Sequence, residues 1–331
     1  MRDLYSDIGQ KFPELCFDIV DYFSDHTKKS RSEERLKLHF YKDFADFMFD
    51  HMDKYHVRNN ILQPNDFEKI CNILCEKKIL EKIIPATVTQ IAGMGAFYSC
   101  WINRDSIANE KIRKGLTRKF NGLVYGFRYV YDNSKNKVLP LFVKLDDRDE
   151  PHIGTCFVTD LGIVTAKHCI ERAKWIAIKG IGKSILEQPN VKIYTSTKYD
   201  LAMINYSFDF LNNFTIDNGK VLDEVMGLGY PQHSGFDNFL TATTGSIAAV
   251  EESYMYKHPL ILTTVKLKGG NSGGPLINKE GDVVGVLTEE ALSEGGDYDK
   301  FGYGIAIPIS MEIIGSIIQE NVILNIPFED I

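Results

Sequence analysis

The sequence predicts a chain of two domains, helical at first and all-β after that. Three observations carry this reading. Apolar residues recur at helical spacing up to about residue 85, and from about residue 121 short apolar runs alternate with Gly, Asn, Asp and Pro turns. The length, 331 residues, is enough for two domains.

The helical part begins with a short helix over roughly Phe12 to Phe23. Leu36, Phe40, Phe44, Phe47 and Met48 then fall on one helical face. A second helix starts at Pro64-Asn65 and buries Phe67, Ile70, Cys71, Leu74 and Leu80. After Pro85 the texture changes. Residues 111–120, KIRKGLTRKF, hold five basic side chains and no acidic one, which predicts a solvated linker or helix face. No regularly spaced stacking aromatics accompany this run, so nucleic-acid binding is not expected. Residues 1–120 therefore read as a helical regulatory or partner-binding domain with a basic linker, and 121–331 as the β domain.

In the β domain the strand candidates are LVYGFRYVY, VLPLFVKL, GTCFVT, GIVTA, WIAIKG, LAMINY, VMGLGY, GSIAAV and DVVGVLT. Many short strands without helices between them argue for a barrel or sandwich. Asp217-Asn218-Gly219 predicts a hairpin turn, and Ile309 to Ile318 a closing helix.

Hydrophobic residues at 44% and charged residues at 25% fit a soluble globular protein. No apolar run reaches membrane-spanning length, so no membrane partner is expected. The opening MRDLYSDIGQKFPEL lacks a basic start followed by an apolar core, and the six cysteines are expected to be reduced. Together these predict a cytoplasmic location. Residues 1–150 carry 25 basic and 23 acidic residues, net +2. From totals of 38 and 45, that leaves 13 and 22 for residues 151–331, net −9. Cys71 and Cys75 have helical spacing and no second ligand pair, so they read as core residues and no metal is expected.

The candidate chemistry sits in KLKGGNSGGPL, residues 266–276, where four glycines surround Ser272. Such crowding means that the backbone turns through conformations side chains forbid, or comes very close to something else. A serine hydroxyl needs a base within reach, normally a histidine oriented by a carboxylate. His168, directly after the strand GIVTA, has a distinctive context, whereas His152, His233 and His258 read as surface residues. Asp200 stands immediately before the apolar strand LAMI.

These motifs resemble the trypsin-like (chymotrypsin-fold) serine proteases. Residues 270–276, GNSGGPL, resemble their nucleophile loop, TAKHC their histidine motif and Asp200-Leu-Ala their aspartate motif, in the same order along the chain. GTCFVTDLGIVTAKH, GLGYP, TTGSI and GYGIAIPI resemble the compact bacterial branch with HtrA-type proteases and glutamyl endopeptidases. The resemblance covers roughly residues 135–320. It implies a double-barrel protease domain in which Ser272, His168 and Asp200 form a catalytic triad. It also implies an oxyanion hole from the backbone N–H groups of Gly270 and Ser272, peptide or protein substrates, and no cofactor.

The resemblance places Lys266, Thr288, Glu289 and Gly302 around the primary pocket. Lys266 would favour acidic substrates and Glu289 or Glu290 basic ones, so specificity stays open. Where the secreted enzymes have Asp before the serine, this chain has Asn271, so activation by N-terminal clipping is not expected. Control through the N-terminal domain, with a regulatory partner there, or through loop ordering is the expectation. Cys169 stands where related enzymes carry a disulfide. Cys156 is the nearby candidate partner, in a mid-strand position, and the pairing stays open. The alternatives are a protease-fold binding or scaffolding module with suppressed turnover, and a nucleic-acid-gated protease.

Overall fold

The computed structural model describes residues 3–25, 44–57, 60–83, 97–100, 102, 109–147, 150–206, 213–232, 237–290 and 303–331. The chain divides into two compact units, Met1–Val130 and Tyr131–Ile331.

The first unit is built from a π-helical turn (Tyr5–Gly9) and helices α1 (Leu15–Ser24), α2 (Phe44–Asp50), α3 (Met52–Tyr55), α4 (Pro64–Glu76) and α5 (Glu110–Tyr125). Two small antiparallel ribbons complete it, β1 (His56–Val57) with β2 (Asn60–Ile61), and β3 (Glu81–Ile83) with β4 (Phe97–Ser99). Pro64 opens α4, where its missing N–H costs nothing and its fixed φ suits the first turn. The core is aromatic. Tyr22 meets Phe47 edge-on at 5.4 Å and Phe12 meets Tyr55 at 5.3 Å, the arrangement ring quadrupoles favour. Leu36 and Phe40 lie outside the described residues.

Two expectations are corrected here. Of the two forms expected for the basic stretch 111–120, it takes the helix face and not the linker: it lies within α5, capped by the Asn109 side chain. Its charges are engaged: Arg113 lies over the Phe17 ring at 5.0 Å and reaches Glu14, and Lys114 pairs with Glu110. The run LVYGFRYVY is also helical, ending α5 and forming α6 (Phe127–Ser134). Val124, Tyr125, Tyr129 and Val130 are its buried positions, a helical spacing that outweighs the strand preference of Val and Tyr. Gly126, at φ +72°, makes the break between the two helices. The division between units thus falls inside α6, beyond the 120/121 position expected.

The second unit has two β layers. The first is a seven-stranded sheet in the order β17-β9-β10-β7-β6-β5-β8. Its strands are β5 (Val138–Leu145), β6 (His152–Thr159), β7 (Gly162–Thr165), β8 (Ala173–Ile178), β9 (Ile193–Thr195), β10 (Ala202–Ile204) and β17 (Ile323–Leu324). One-turn helices α7 (Lys167–Ile170) and α8 (Lys183–Leu186) connect them. The second layer is a closed barrel of β11 (Glu224–Gly229), β12 (Thr241–Glu252), β13 (Pro259–Thr263), β16 (Gly304–Pro308), β15 (Val283–Glu290) and β14 (Pro275–Asn278). Each layer has its own apolar core, Leu141, Val143, Ile163 and Ile176 in the first and Val225, Ile247, Leu276 and Leu287 in the second.

The expected pair of β halves is present, but the first does not close by strand pairing. The C-terminal tail covers its edges instead. β17 pairs with β9 at one edge, while Ile176 of β8 at the other edge donates to Pro327 and accepts from Glu329. Edge strands left bare would present unpaired backbone groups, and this tail satisfies them. The chain therefore does not end on the expected helix, α9 (Met311–Glu320), but on this clasp. Nor does Asp217-Asn218-Gly219 make a hairpin. Ile216 bridges Val283 in parallel and Asp217 N–H donates to Val283 O, so the segment runs alongside β15.

Candidate active site

His168 is placed by α7, the single turn that follows β7. Asp200 stands at the end of a tight loop before β10, which pairs with β7. That loop is held from within by the Ser196 hydroxyl, which accepts from Lys198 and Tyr199 N–H groups. It is held from outside by Glu320 of α9, which accepts from Thr197 N–H and Oγ1. The Asp200 carboxylate takes the His168 backbone N–H on Oδ1 at 2.8 Å and faces the ring Nδ1 with Oδ2 at 2.5 Å. An ionised carboxylate only accepts, so Nδ1 carries hydrogen and Nε2 is directed elsewhere.

Burial pulls the His168 ring down. The Asp200 hydrogen bond, the Cys169 thiol and the Asp200 charge outweigh it and push the ring up to about 10. The Cys169 Sγ stands 3.7 Å from Nε2 and 3.7 Å from the Ser272 carbonyl oxygen.

Ser272 lies in the loop before β14. Gly273, at φ +85°, lies so close to β6 and β7 that a Cβ there would stand 2.1 Å from Thr155 O and 2.2 Å from Thr165 Oγ1. Both reasons anticipated for the glycine cluster therefore apply at this one position. Gly270, at φ +104°, makes the second left-handed turn. Among the bonds that tie the loop down are Thr155 Oγ1 to Gly270 O (2.7 Å), Thr155 N–H to Ser272 O (2.9 Å), Gly273 N–H to Leu287 O and Leu287 N–H to Gly274 O (both 2.8 Å). Among the described residues no protein acceptor takes the N–H of Gly270 or Ser272.

The Ser272 hydroxyl donates to Thr288 O at 2.6 Å, and among the described residues no hydrogen bond joins it to the His168 ring. The structure thus brings Asp200 and His168 into direct contact. Ser272 joins them through Cys169, which touches both, and its hydroxyl is turned toward β15.

Of the expected pocket residues, Thr288 is buried and donates its own hydroxyl to Ile305 O. Glu289 is exposed and accepts from Tyr256 OH, while Lys266 is exposed and its carbonyl accepts from Thr243. Gly302 and His233 lie outside the described residues. His258 is not at the surface as expected. It is 2% exposed, with its ring 4.8 Å from that of Tyr199.

The sequence reading missed Thr155 and Thr165. Thr155 holds both Gly270 O and Tyr230 N–H, and Thr165 Oγ1 donates to Thr155 O. Threonines in strands look like ordinary β-formers, so only the proximity of the loop reveals their part.

None of the six cysteines is in a disulfide. Cys156 is buried, with its thiol directed to Leu139 O, and Cys169 faces Gly154.

Residues 154–286 match the model of the trypsin-like peptidase domain, a stretch that includes His168, Asp200 and Ser272. A curated relative from Pseudomonas fulva, named a probable periplasmic serine endoprotease DegP-like, is 33% identical over 174 residues, 50% of this chain and 34% of its own length. One of the same name from Buchnera aphidicola is 31% identical over 157 residues, 45% of this chain and 32% of its own. The chain spans about a third of the length of these relatives. A serine endoprotease structure from Yersinia pestis aligns over 59% of this chain and 66% of its own, at 21% identity and a TM-score of 0.43. The Rv3671c protease of M. tuberculosis in its active form aligns over 60% and 86%, at 19% and 0.45. Residues 154–286 of the second unit are therefore similar to a trypsin-like peptidase domain, and the curated relatives are named DegP-like.

The relatives' names overturn the expected cytoplasmic location and point to the periplasm. That expectation rested on the opening residues and on unpaired thiols. Where a sequence begins does not report a compartment, and thiols that the fold does not join in disulfides report none either.

Proposed function

We propose that the second unit is a serine endopeptidase in which Ser272 is the nucleophile, His168 its base and Asp200 the group that orients and charges the base. The observation that carries this reading is the double hold of Asp200 on His168, next to a loop whose Gly270 and Ser272 N–H groups have no acceptor among the described residues. Ser272 Oγ attacks the peptide carbonyl while Nε2 takes its proton. The two N–H groups stabilise the oxyanion, and His168 returns the proton to the leaving amine. Water then releases the acyl group by the reverse sequence.

Attack requires the hydroxyl to leave Thr288 O and turn to Nε2 by rotation about χ1. A substrate N–H donating to Thr288 O would compete for that carbonyl and favour the turn. Hydrophobic pairs and engaged charges make the first unit a compact body of its own, which supports a regulatory or partner-binding role. The engagement of the basic residues of α5 supports leaving nucleic acid out.

The resting hydroxyl also favours a second reading, a protease-fold binding module with suppressed turnover. A fluorophosphonate probe separates the two. Labelling of the full chain that is lost in Ser272→Ala supports the peptidase. Folded protein that neither labels nor cleaves a mixed peptide library leaves the binding module.

A further inference from the structure

The feature that the triad leaves unused is a braced carboxylate one residue beyond the carbonyl that holds the Ser272 hydroxyl. Thr288 is the extra residue of a β-bulge: Leu287 opposes Ala306 and Glu289 opposes Ile305, so Thr288 has no partner across the ladder. Its carbonyl holds the Ser272 hydroxyl, and Glu289 is the next residue along the chain. The Glu289 carboxylate is braced from another loop of the barrel. Tyr256, in the turn between β12 and β13, donates its phenolic hydrogen to Oε1 at 2.6 Å.

That turn is itself anchored. Ser253 N–H donates to His258 O, Lys257 N–H to Ser253 O and Tyr256 N–H to Ser253 Oγ. Behind it, buried His258 packs its ring on Tyr199, the neighbour of Asp200. The Glu289 hydrogen bond pushes the Tyr256 phenol up to about 12, burial and the Glu289 charge add to this, and the charge of Asp200 contributes as well. The turn therefore lies within electrostatic reach of the His168–Asp200 pair.

One phenolic hydrogen occupies part of one carboxylate oxygen and leaves Oε2 to accept from a cation. The bracing fixes the carboxylate before any ligand arrives, so less side-chain entropy is lost when a charge pairs with it. The opposite expectation, an acidic preference set by Lys266, lacks such a frame: among the described residues Lys266 is exposed and anchored by its carbonyl alone. The surplus of acidic residues over 151–331, net −9, adds a field of the same sign as Glu289.

We infer that Glu289, braced by Tyr256, selects peptides that place a lysine or arginine close to the bond presented to Ser272. This rests on the reading of the Ser272 site as a peptide-binding active site.

The test uses binding, so it does not depend on turnover. Full-length Ser272→Ala chain is titrated, by fluorescence anisotropy, against three labelled decapeptide pools with a central lysine, norleucine or glutamate. The lysine pool is expected to bind about fivefold more tightly than the norleucine pool at low salt, the upper range for an exposed ion pair. Added Glu289→Gln should remove the preference, Tyr256→Phe should reduce it, and 0.5 M salt should blunt it. An equal preference in the Glu289→Gln background, or none in the parent, overturns the inference. Failure of the peptidase reading shows separately, as wild-type chain that a fluorophosphonate does not label.

Discussion

Asp200 grips His168 at two points, taking its backbone N–H on one carboxylate oxygen and facing its ring Nδ1 with the other. The backbone bond fixes where the residue sits, and the ring bond fixes which way its second nitrogen looks. Replacing the carboxylate with an amide keeps the shape but lets an N–H face Nδ1, which favours the wrong tautomer. We expect Asp200→Asn to lower kcat by about 10,000-fold with little change in melting temperature. Peptide hydrolysis and circular dichroism on the same sample check this, and activity within tenfold of wild type would remove Asp200 from the mechanism.

The same contact sets a pH dependence. Because Asp200 and Cys169 push His168 up against the opposing effect of burial, the ring stays protonated at pH values where an ordinary histidine is neutral. Only the neutral ring can take the Ser272 proton, so activity is low below the shifted value and rises through it. The acid limb of kcat/KM is expected on the alkaline side of 6.5, and fluorophosphonate labelling rates should follow the same curve. A limb below 6.5 would contradict the assignment.

Gly273 should tolerate no side chain. Its φ of +85° is strained for any L residue, and the nearest atoms are a backbone oxygen of β6 and the Thr165 hydroxyl. We expect Gly273→Ala to cost about 3 kcal/mol or more in unfolding free energy, measurable in denaturant. Labelling at Ser272 should be lost with it. Gly269, where a Cβ meets nothing within 4 Å, is the control.

Gly154 answers the question left open over Cys169. A Cβ built on Gly154 stands 3.6 Å from the Cys169 Cβ and 3.3 Å from its Sγ, within the span of a disulfide. Cys156, two residues on, points at Leu139 O instead. Gly154→Cys is therefore expected to form a bond with Cys169 in air-oxidised protein. Closing so short a loop is worth about 3 kcal/mol in the chain-entropy model. Mass spectrometry and a higher oxidised than reduced melting temperature check it, whereas a bond to Cys156 instead would refute the geometry.

The strands from VLPLFVKL onward were legible because each is a short apolar run between turn residues, and such runs have few alternatives. LVYGFRYVY misled because aromatic and β-branched residues suit strands, while its buried positions follow a helical period that only packing exposes. Asp217-Asn218-Gly219 misled because turn chemistry is permissive: it allows a hairpin without requiring one, and the neighbouring β15 offered the backbone other partners. Thr155 was invisible as a site residue because a threonine in a strand is ordinary until a glycine loop comes to rest on it.

By itself the sequence determined which side chains could do the chemistry. A serine among glycines, a histidine after a strand and an aspartate before another are local signals, and local signals survive without a fold. Tertiary structure alone decided how those groups meet: that Asp200 holds His168 twice, that the Ser272 hydroxyl rests on Thr288, and that Glu289 leans on Tyr256. Each of these pairs joins residues at least 16 positions apart, and a one-dimensional pattern carries no distance between them. Hydrogen bonds reach about 3 Å, so only the packed barrel and sheet can say which of many polar groups come that close.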